Sequence, residues 1–122
     1  MNYLKYSIEF KVIEPRFGER LIITDLENKR SLHNLSSILD HDDISVDEEL
    51  LRNVEGVLMG NPLGIHYQVE NDYEADVKRD LTRIINGNLD DEKINTDIVP
   101  TTDLRDLLKE VIEIKKKRSQ RS

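Results

Sequence analysis

The chain has 122 residues, no cysteine and a formal net charge of −7 at pH 7. This length predicts a single domain, residues 1–122, with its own hydrophobic core. The lack of cysteine excludes disulfides, zinc–thiolate sites and thiol catalysis, and no apolar run approaches the ~18 residues that span a bilayer. We expect a cytoplasmic protein, because the first ten residues include Lys5 and Glu9 and do not form a signal peptide.

The charge is distributed unevenly along the chain. Residues 115–122 contribute five basic side chains and no acidic one, which leaves 13 basic and 25 acidic residues, a net charge of −12, in residues 1–114. Such a body repels nucleic acid and anionic lipid and attracts basic proteins. We therefore expect a basic protein as partner, neither nucleic acid nor membrane, and a basic segment 115–122 that is a solvated, frayed helix end.

The first element is predicted to be a β-strand. Its apolar residues alternate with polar ones and are Leu4, Tyr6, Ile8, Phe10 and Val12. This alternation gives the strand one buried and one solvated face, as in an antiparallel sheet. Residues 15–18 supply a turn that contains Pro15 and Gly18. A second strand, from 21 to about 27, is expected to pair with the first as a hairpin.

Two helices are predicted next. Apolar residues at helical spacing indicate a short one: Leu32, Leu35, Ile38 and Leu39. The second helix is expected to begin at Ser45, because Ser45 with Glu48 three residues later forms a capping box. Its apolar positions are Leu50, Leu51, Val54, Val57 and Leu58. Gly60 and Pro62 are expected to end it.

The segment after the second helix is less uniform. Ile65, Tyr67 and Val69 alternate, which predicts a strand over 63–70. Residues 73–86 fit two patterns. In the first, Tyr73, Ala75 and Val77 alternate with polar residues and form a strand with Tyr73 opposite Val69. In the second, the apolar face of a helix consists of Tyr73, Val77, Leu81 and Ile84. Both interpretations stay open.

The last quarter is predicted to be a short strand over 94–99, then Pro100, then the longest helix. Thr101 or Thr102 is expected to cap this helix, and Asp103 and Asp106 lie where its dipole is positive. Its apolar face consists of Leu104, Leu107, Leu108, Val111 and Ile114. We expect that face to pack on the first strand. The fold class is thus α+β, a single domain with a mainly antiparallel sheet packed against helices, ending in a long C-terminal helix.

No catalytic or metal-binding motif is found. His41 and Asp42 are similar to a metal-ligand pair of phosphohydrolases, but the further ligands such enzymes need are missing. The acids near residue 40 do not form an EF-hand loop, since Ser45 and Leu51 stand where that loop requires glycine and an acid. None of the five glycines belongs to a phosphate-binding loop. We expect no catalytic residue, no metal and no cofactor.

Two groups of acidic residues are candidate partner-binding sites. The first has six acids in ten residues and no Lys or Arg: Asp40, Asp42, Asp43, Asp47, Glu48 and Glu49. The second consists of Glu70, Asp72, Glu74 and Asp76. A polar loop followed by a helix start would explain the first group. Alternatively, a basic partner covers these unpaired like charges. Whether the two groups share a face stays open.

The C-terminal helix also carries a family resemblance. Residues Thr101 to Glu113 read Thr-x-Asp-Leu-x-x-Leu-Leu-x-Glu-x-Ile-Glu. In a small, acidic, cysteine-free α+β chain, this resembles immunity proteins encoded beside bacterial polymorphic and contact-dependent toxins. The resemblance implies a non-catalytic inhibitor that binds one cognate toxin, often a basic nuclease, and it assigns no individual binding residue. The alternatives are a phage-encoded inhibitor that mimics nucleic-acid charge, or a small enzyme that uses His41 or His66 with nearby carboxylates.

Overall fold

The computed structural model describes residues 5–41, 43–60, 63–70, 72–91 and 95–120, the side chains of 13, 14, 17, 70, 119 and 120 excepted. The elements in chain order are β1 (Tyr6–Glu14), a 3-10 turn (Pro15–Phe17), β2 (Gly18–Asp25), β3 (Arg30–Ser31), α1 (His33–Leu39), α2 (Ile44–Leu58), β4 (Ile65–Glu70), β5 (Tyr73–Val77), β6 (Leu81–Asn86), β7 (Thr96–Pro100) and α3 (Thr101–Gln120). One antiparallel sheet has the order β1-β2-β3 and a second has the order β4-β5-β6-β7. The predicted α+β fold, ending in a long C-terminal helix, is confirmed.

β1 and β2 form the predicted hairpin, and alternate residues build its buried face. That face carries Tyr6, Ile8 and Phe10 of β1 together with Leu21 and Ile23 of β2. Gly18 turns the chain with a φ of +71°, which glycine adopts without strain. The prediction is wrong for Val12, which is 58% exposed. Val12 lies at the turn end of the hairpin opposite the exposed Glu19, beyond the core. Leu4 lies outside the described residues.

α3 packs against α2, β6 and β7. Its apolar stripe is fully buried and contains Leu104, Leu107, Leu108 and Val111. Near the start of α3, the Tyr6 hydroxyl donates a hydrogen bond to Asp103 at 2.7 Å. Near its end, the Arg118 guanidinium lies 4.2 Å from the centre of the Phe10 ring. The prediction that the apolar face of this helix packs on the first strand is not confirmed, because α3 packs chiefly on α2 and touches β1 through Tyr6 and Phe10. Both elements contribute to one hydrophobic core.

α1 lies beside β2 in the place of a neighbouring strand. β3 pairs only with Thr24 and Asp25 of β2. Further along β2, the Ile23 amide donates to Ser36 Oγ at 2.9 Å, and the Leu21 amide donates to Asp40 Oδ1 at 3.1 Å. Four helical residues rise about 6 Å and two strand residues about 6.7 Å. The side-chain acceptors Ser36 of α1 and Asp40, the residue after its last turn, therefore match amides two residues apart on β2.

Ser36→Ala is expected to lower the free energy of unfolding by about 1–3 kcal/mol, because the buried amide of Ile23 then lacks its acceptor. Chemical denaturation followed by circular dichroism measures the change. Ser37→Ala is the matched control, since the Ser37 hydroxyl makes no hydrogen bond to the described residues. The control should change stability by less than about 0.5 kcal/mol. Equal losses in the two variants would contradict the assigned role of Ser36.

The four-stranded sheet decides between the two interpretations of residues 73–86, which form the strands β5 and β6. Ala75 pairs with Ile84, and both side chains are buried against the helices. Tyr73 pairs with Glu70 rather than with Val69, because the register shifts at the end of β4. The strand predicted over 63–70 begins only at 65, since the preceding glycine has a φ of +73° and breaks the extended chain.

Two predicted helix caps are wrong. α2 begins at Ile44, and its N-cap is Asp43, whose carboxylate accepts a hydrogen bond from the Ser45 amide at 3.0 Å. Ser45 is already helical, whereas Asp43 has the extended backbone that a cap requires. At the start of α3, the Thr101 hydroxyl is hydrogen-bonded to Thr82 of β6 and to a carbonyl in the β5–β6 turn. Thr101 therefore joins α3 to the sheet and does not cap the helix.

Candidate functional site

The acidic segment 40–49 occupies the loop between α1 and α2 and the first turns of α2. Its members lie in different environments. Asp40 accepts hydrogen bonds from Arg20 and from a β2 amide, and Asp43 caps α2. Asp42 lies outside the described residues. Glu48 and Glu49 are exposed and form no ion pair within the ranges that the structure describes. Glu48 and Glu49 are thus the members of this segment that remain candidates for a partner contact.

Asp47 is fully buried and is paired with Lys115 of α3. Lys115 Nζ donates to Asp47 Oδ2 at 2.6 Å and to the carbonyl oxygen of Leu39, the last residue of α1, at 2.7 Å. Burial raises the pKa of the Asp47 carboxyl, while the hydrogen bond and charge of Lys115 and the nearby His41 act in the opposite direction. The prediction that Asp47 belongs to a contact surface is wrong, because this carboxylate is inside the protein.

His41 belongs to the same buried group. Its Nε2 lies 3.3 Å from Asp47 Oδ1, and its Nδ1 accepts a hydrogen bond from the Asp43 amide at 3.1 Å. A ring nitrogen that accepts a hydrogen bond carries no proton, so the neutral imidazole has its proton on Nε2, facing the carboxylate. These two contacts fix the orientation of the His41 ring and connect the loop before α2 to the buried Asp47 of that helix.

The basic end of α3 is not simply a solvated tail. Lys115 is buried, and Arg118 is paired with Glu19 and lies over the Phe10 ring. Lys115 follows Val111 by four residues, which places it on the buried stripe of the helix. Lys116 and Lys117, by contrast, are exposed. The expectation that this segment lacks packing contacts is therefore wrong for Lys115 and Arg118.

Two members of the second acidic group lie on the face of the four-stranded sheet that points away from the helices. Glu74 and Asp76 alternate with buried residues of β5, so they point away from the helices. Glu74 Oε1 lies 3.0 Å from His66 Nε2, and Asp76 Oδ1 lies 3.6 Å from Lys78 Nζ. The remaining members are Asp72, exposed at the β4–β5 turn, and Glu70, the last residue of β4. Glu74 and Asp76 therefore do not share a face with Glu48 and Glu49 of α2.

Asp97 is a buried acid for which the sequence pattern predicts only a place in a strand. Its Oδ2 accepts hydrogen bonds from the amides of Asn34 and Leu35, at 2.8 and 2.9 Å, in the first turn of α1. Its Oδ1 lies 3.6 Å from Arg30. Burial raises the pKa of Asp97, and the two amides and Arg30 act against that rise. A carboxylate of β7 thus caps a helix more than 60 residues earlier.

In the ranges that the structure describes, no three His, Asp or Glu side chains lie close enough together to hold a metal ion. The same ranges contain no helix that is both long and apolar enough to cross a membrane. The chain matches no protein-family model, no curated protein and no solved structure at a significant level. Function must therefore be argued from the geometry of its own residues.

Proposed function

We propose that the chain is an acidic, non-catalytic binding protein of the immunity type, which neutralises a basic, nuclease-type toxin domain in the bacterial cytoplasm. The observation that carries this proposal is the pair Glu48 and Glu49 on α2. These side chains are adjacent and exposed, and they have no ion pair in the described part of the chain. Neighbouring like charges raise the free energy of the free protein, and a cationic partner surface lowers it.

The distribution of charge along the chain supports the same proposal. Residues 1–37 contain six basic and five acidic side chains, whereas residues 38–122 contain 12 basic and 20 acidic ones, a net charge of −8. Glu48 and Glu49 belong to this acidic part. Its field attracts a cationic protein and raises the rate of encounter.

One observation favours the alternative of a small enzyme, since His41 lies beside the buried Asp47. A general base, however, must present a ring nitrogen to the proton that it removes. Here Nδ1 accepts the Asp43 amide and Nε2 faces Asp47, whose other oxygen binds Lys115. These contacts support a structural role for His41, and this role favours the proposed binding function over an enzyme that uses His41.

The nucleic-acid mimic is the weaker binding hypothesis. Such a mimic spreads acids over one whole face, whereas here Glu74 and Asp76 point away from the helices, one of which carries Glu48 and Glu49. Several members are also engaged within the chain, such as Asp40 with Arg20 and Glu74 with His66. This arrangement supports a discrete contact on α2.

Replacing Glu48 and Glu49 together by glutamine is expected to slow association with the basic partner about tenfold at low salt and to leave stability nearly unchanged. The partner is first isolated from the native host with the wild-type chain as bait. Association and dissociation rates are then measured by surface plasmon resonance at two salt concentrations. The wild-type association rate should fall as salt rises, because the Debye length shrinks to about 10 Å at 0.1 M.

The control is a second double variant, Glu110→Gln with Glu113→Gln, which removes the same charge from α3. If attraction is only a matter of net charge, the two double variants slow association equally. If Glu48 and Glu49 contact the partner, their variant is slower than the control and also dissociates faster. Rates equal to wild type in both variants would show that the contact lies elsewhere.

A further inference from the structure

A pocket of about 210 Å3 opens between β2, β3 and α1, away from the acidic face of α2. Its polar lining comes from Arg20, Ser31, His33, Ser37 and Asp40, and the partly buried Ile22 forms an apolar wall. Pockets for drug-sized ligands measure about 300–1,000 Å3. The pocket thus has room for a small molecule only.

Arg20 is held in a defined orientation at one end of this pocket. Its Nε donates to Asp40 Oδ2 at 2.7 Å, while the Leu21 amide donates to the other oxygen of Asp40. Both carboxylate oxygens are therefore engaged. The two terminal NH2 groups of Arg20 make no hydrogen bond to the described residues, so the guanidinium is fixed through Nε with its fork left for a ligand.

The other polar groups of the pocket are also available. Neither the hydroxyls of Ser31 and Ser37 nor the ring of His33 is hydrogen-bonded to a residue that the structure describes. Each of these groups can donate a hydrogen bond to an anion. A cation would instead have to displace Arg20 from Asp40. The lining therefore favours an anionic ligand.

Although the protein as a whole is acidic, the part of the chain that lines the pocket does not repel an anion. All of the lining residues except Asp40 belong to residues 1–37, which carry a net charge of +1. Lys11 lies opposite Arg20 in the β1–β2 register, but its ammonium group is paired with Glu9 at 3.4 Å. Arg20 is therefore the cation that an anion in this pocket would meet. The acidic residues that dominate the net charge lie in the rest of the chain, and salt screens them over about 10 Å at 0.1 M.

We propose that this pocket binds a small organic anion. Its carboxylate or phosphate group accepts two hydrogen bonds from the terminal N–H groups of Arg20, and further ones from His33 and the serine hydroxyls. A short aliphatic part lies against Ile22. The site is separate from Glu48 and Glu49, and the proposal does not depend on the proposed function.

The test is a titration of the full, 15N-labelled chain with sodium propionate and, separately, with inorganic phosphate, at constant ionic strength. Two-dimensional NMR should show saturable shifts of the Arg20 Nε–H and of the amides of Ser31, His33 and Ser37, with a dissociation constant in the millimolar range. A response to propionate alone assigns a carboxylate ligand, and a response to phosphate alone assigns a phosphate ligand. Either result supports an anion site.

Two variants separate this site from general attraction to positive charge. Arg20→Gln should weaken binding about tenfold or more, because it removes the charged fork. Arg79→Gln removes an exposed arginine from the β5–β6 turn and should leave the dissociation constant unchanged. The proposal is overturned if neither anion gives saturable shifts at the pocket, or if Arg20→Gln binds as tightly as wild type.

Discussion

Lys115→Met is expected to destabilise the folded chain by about 3–5 kcal/mol, because it leaves the buried carboxylate of Asp47 without its cation. The ammonium group also donates to the Leu39 carbonyl at the end of α1, so the substitution removes two contacts of 2.6 and 2.7 Å. Methionine keeps most of the side-chain volume, which limits the effect of packing. Urea denaturation followed by circular dichroism gives the free energy of unfolding.

Two further variants test the reason for this loss. Lys116→Met changes the neighbouring, exposed lysine and should alter stability by no more than about 0.5 kcal/mol. Asp47→Leu combined with Lys115→Met replaces both charges by apolar groups and should recover most of the stability, since buried ion pairs are often replaced without loss. A Lys115→Met variant as stable as Lys116→Met would show that the buried pair does not form.

Leu108→Ala is expected to lower the free energy of unfolding by about 2–5 kcal/mol. Leu108 is fully buried in the hydrophobic core, and alanine would leave a cavity there. The control is Leu63→Ala, the same chemical change at a side chain that is 82% exposed. That control should cost less than about 0.5 kcal/mol. Similar costs at the two positions, measured by urea denaturation, would contradict the packing described for α3.

The regular elements could be predicted because periodicity reports which face of an element is buried. The alternation around Tyr6 and Ile8 indicates a strand, and the spacing of Leu104 and Leu108 indicates the buried face of α3. Periodicity cannot decide a segment that fits both periods, as residues 73–86 do. There the pairing of Ala75 with Ile84 decides for strands, and that pairing depends on long-range contacts.

The buried pair is instructive because the sequence contained its signal. Asp47 precedes Leu50 by three residues and Val54 by seven, and Lys115 follows Val111 by four and Leu108 by seven. Each charge therefore lies on the apolar stripe of its own helix. Opposite charges on two buried stripes predict an ion pair between the helices. A count of the acids in residues 40–49 and of the cations in residues 115–122 does not reveal this pairing, because it ignores which face of each helix carries the charge.

The contacts of Asp97 could be predicted only in part. Asp97 has the same strand parity as the buried Val99, so a buried carboxylate is foreseeable. Its partners are the amides of Asn34 and Leu35, more than 60 residues away. Nothing in local periodicity indicates which donors meet it, because that depends on how α1 packs against β7. The candidate contact surface could also be predicted only in part. The count of acids in the segment does not distinguish the exposed Glu48 and Glu49 from the buried Asp47, because their exposure depends on how α2 packs.

The position of α1 along β2 also bears on how the chain meets other copies of itself. An open strand edge presents amides on which a strand of another molecule can add, and this is a common route to aggregation. Ser36 and Asp40 accept the amides of Ile23 and Leu21 that would otherwise form such a template. A helix of seven residues and the residue that follows it thus protect this edge against strand addition, with two side chains and no additional strand.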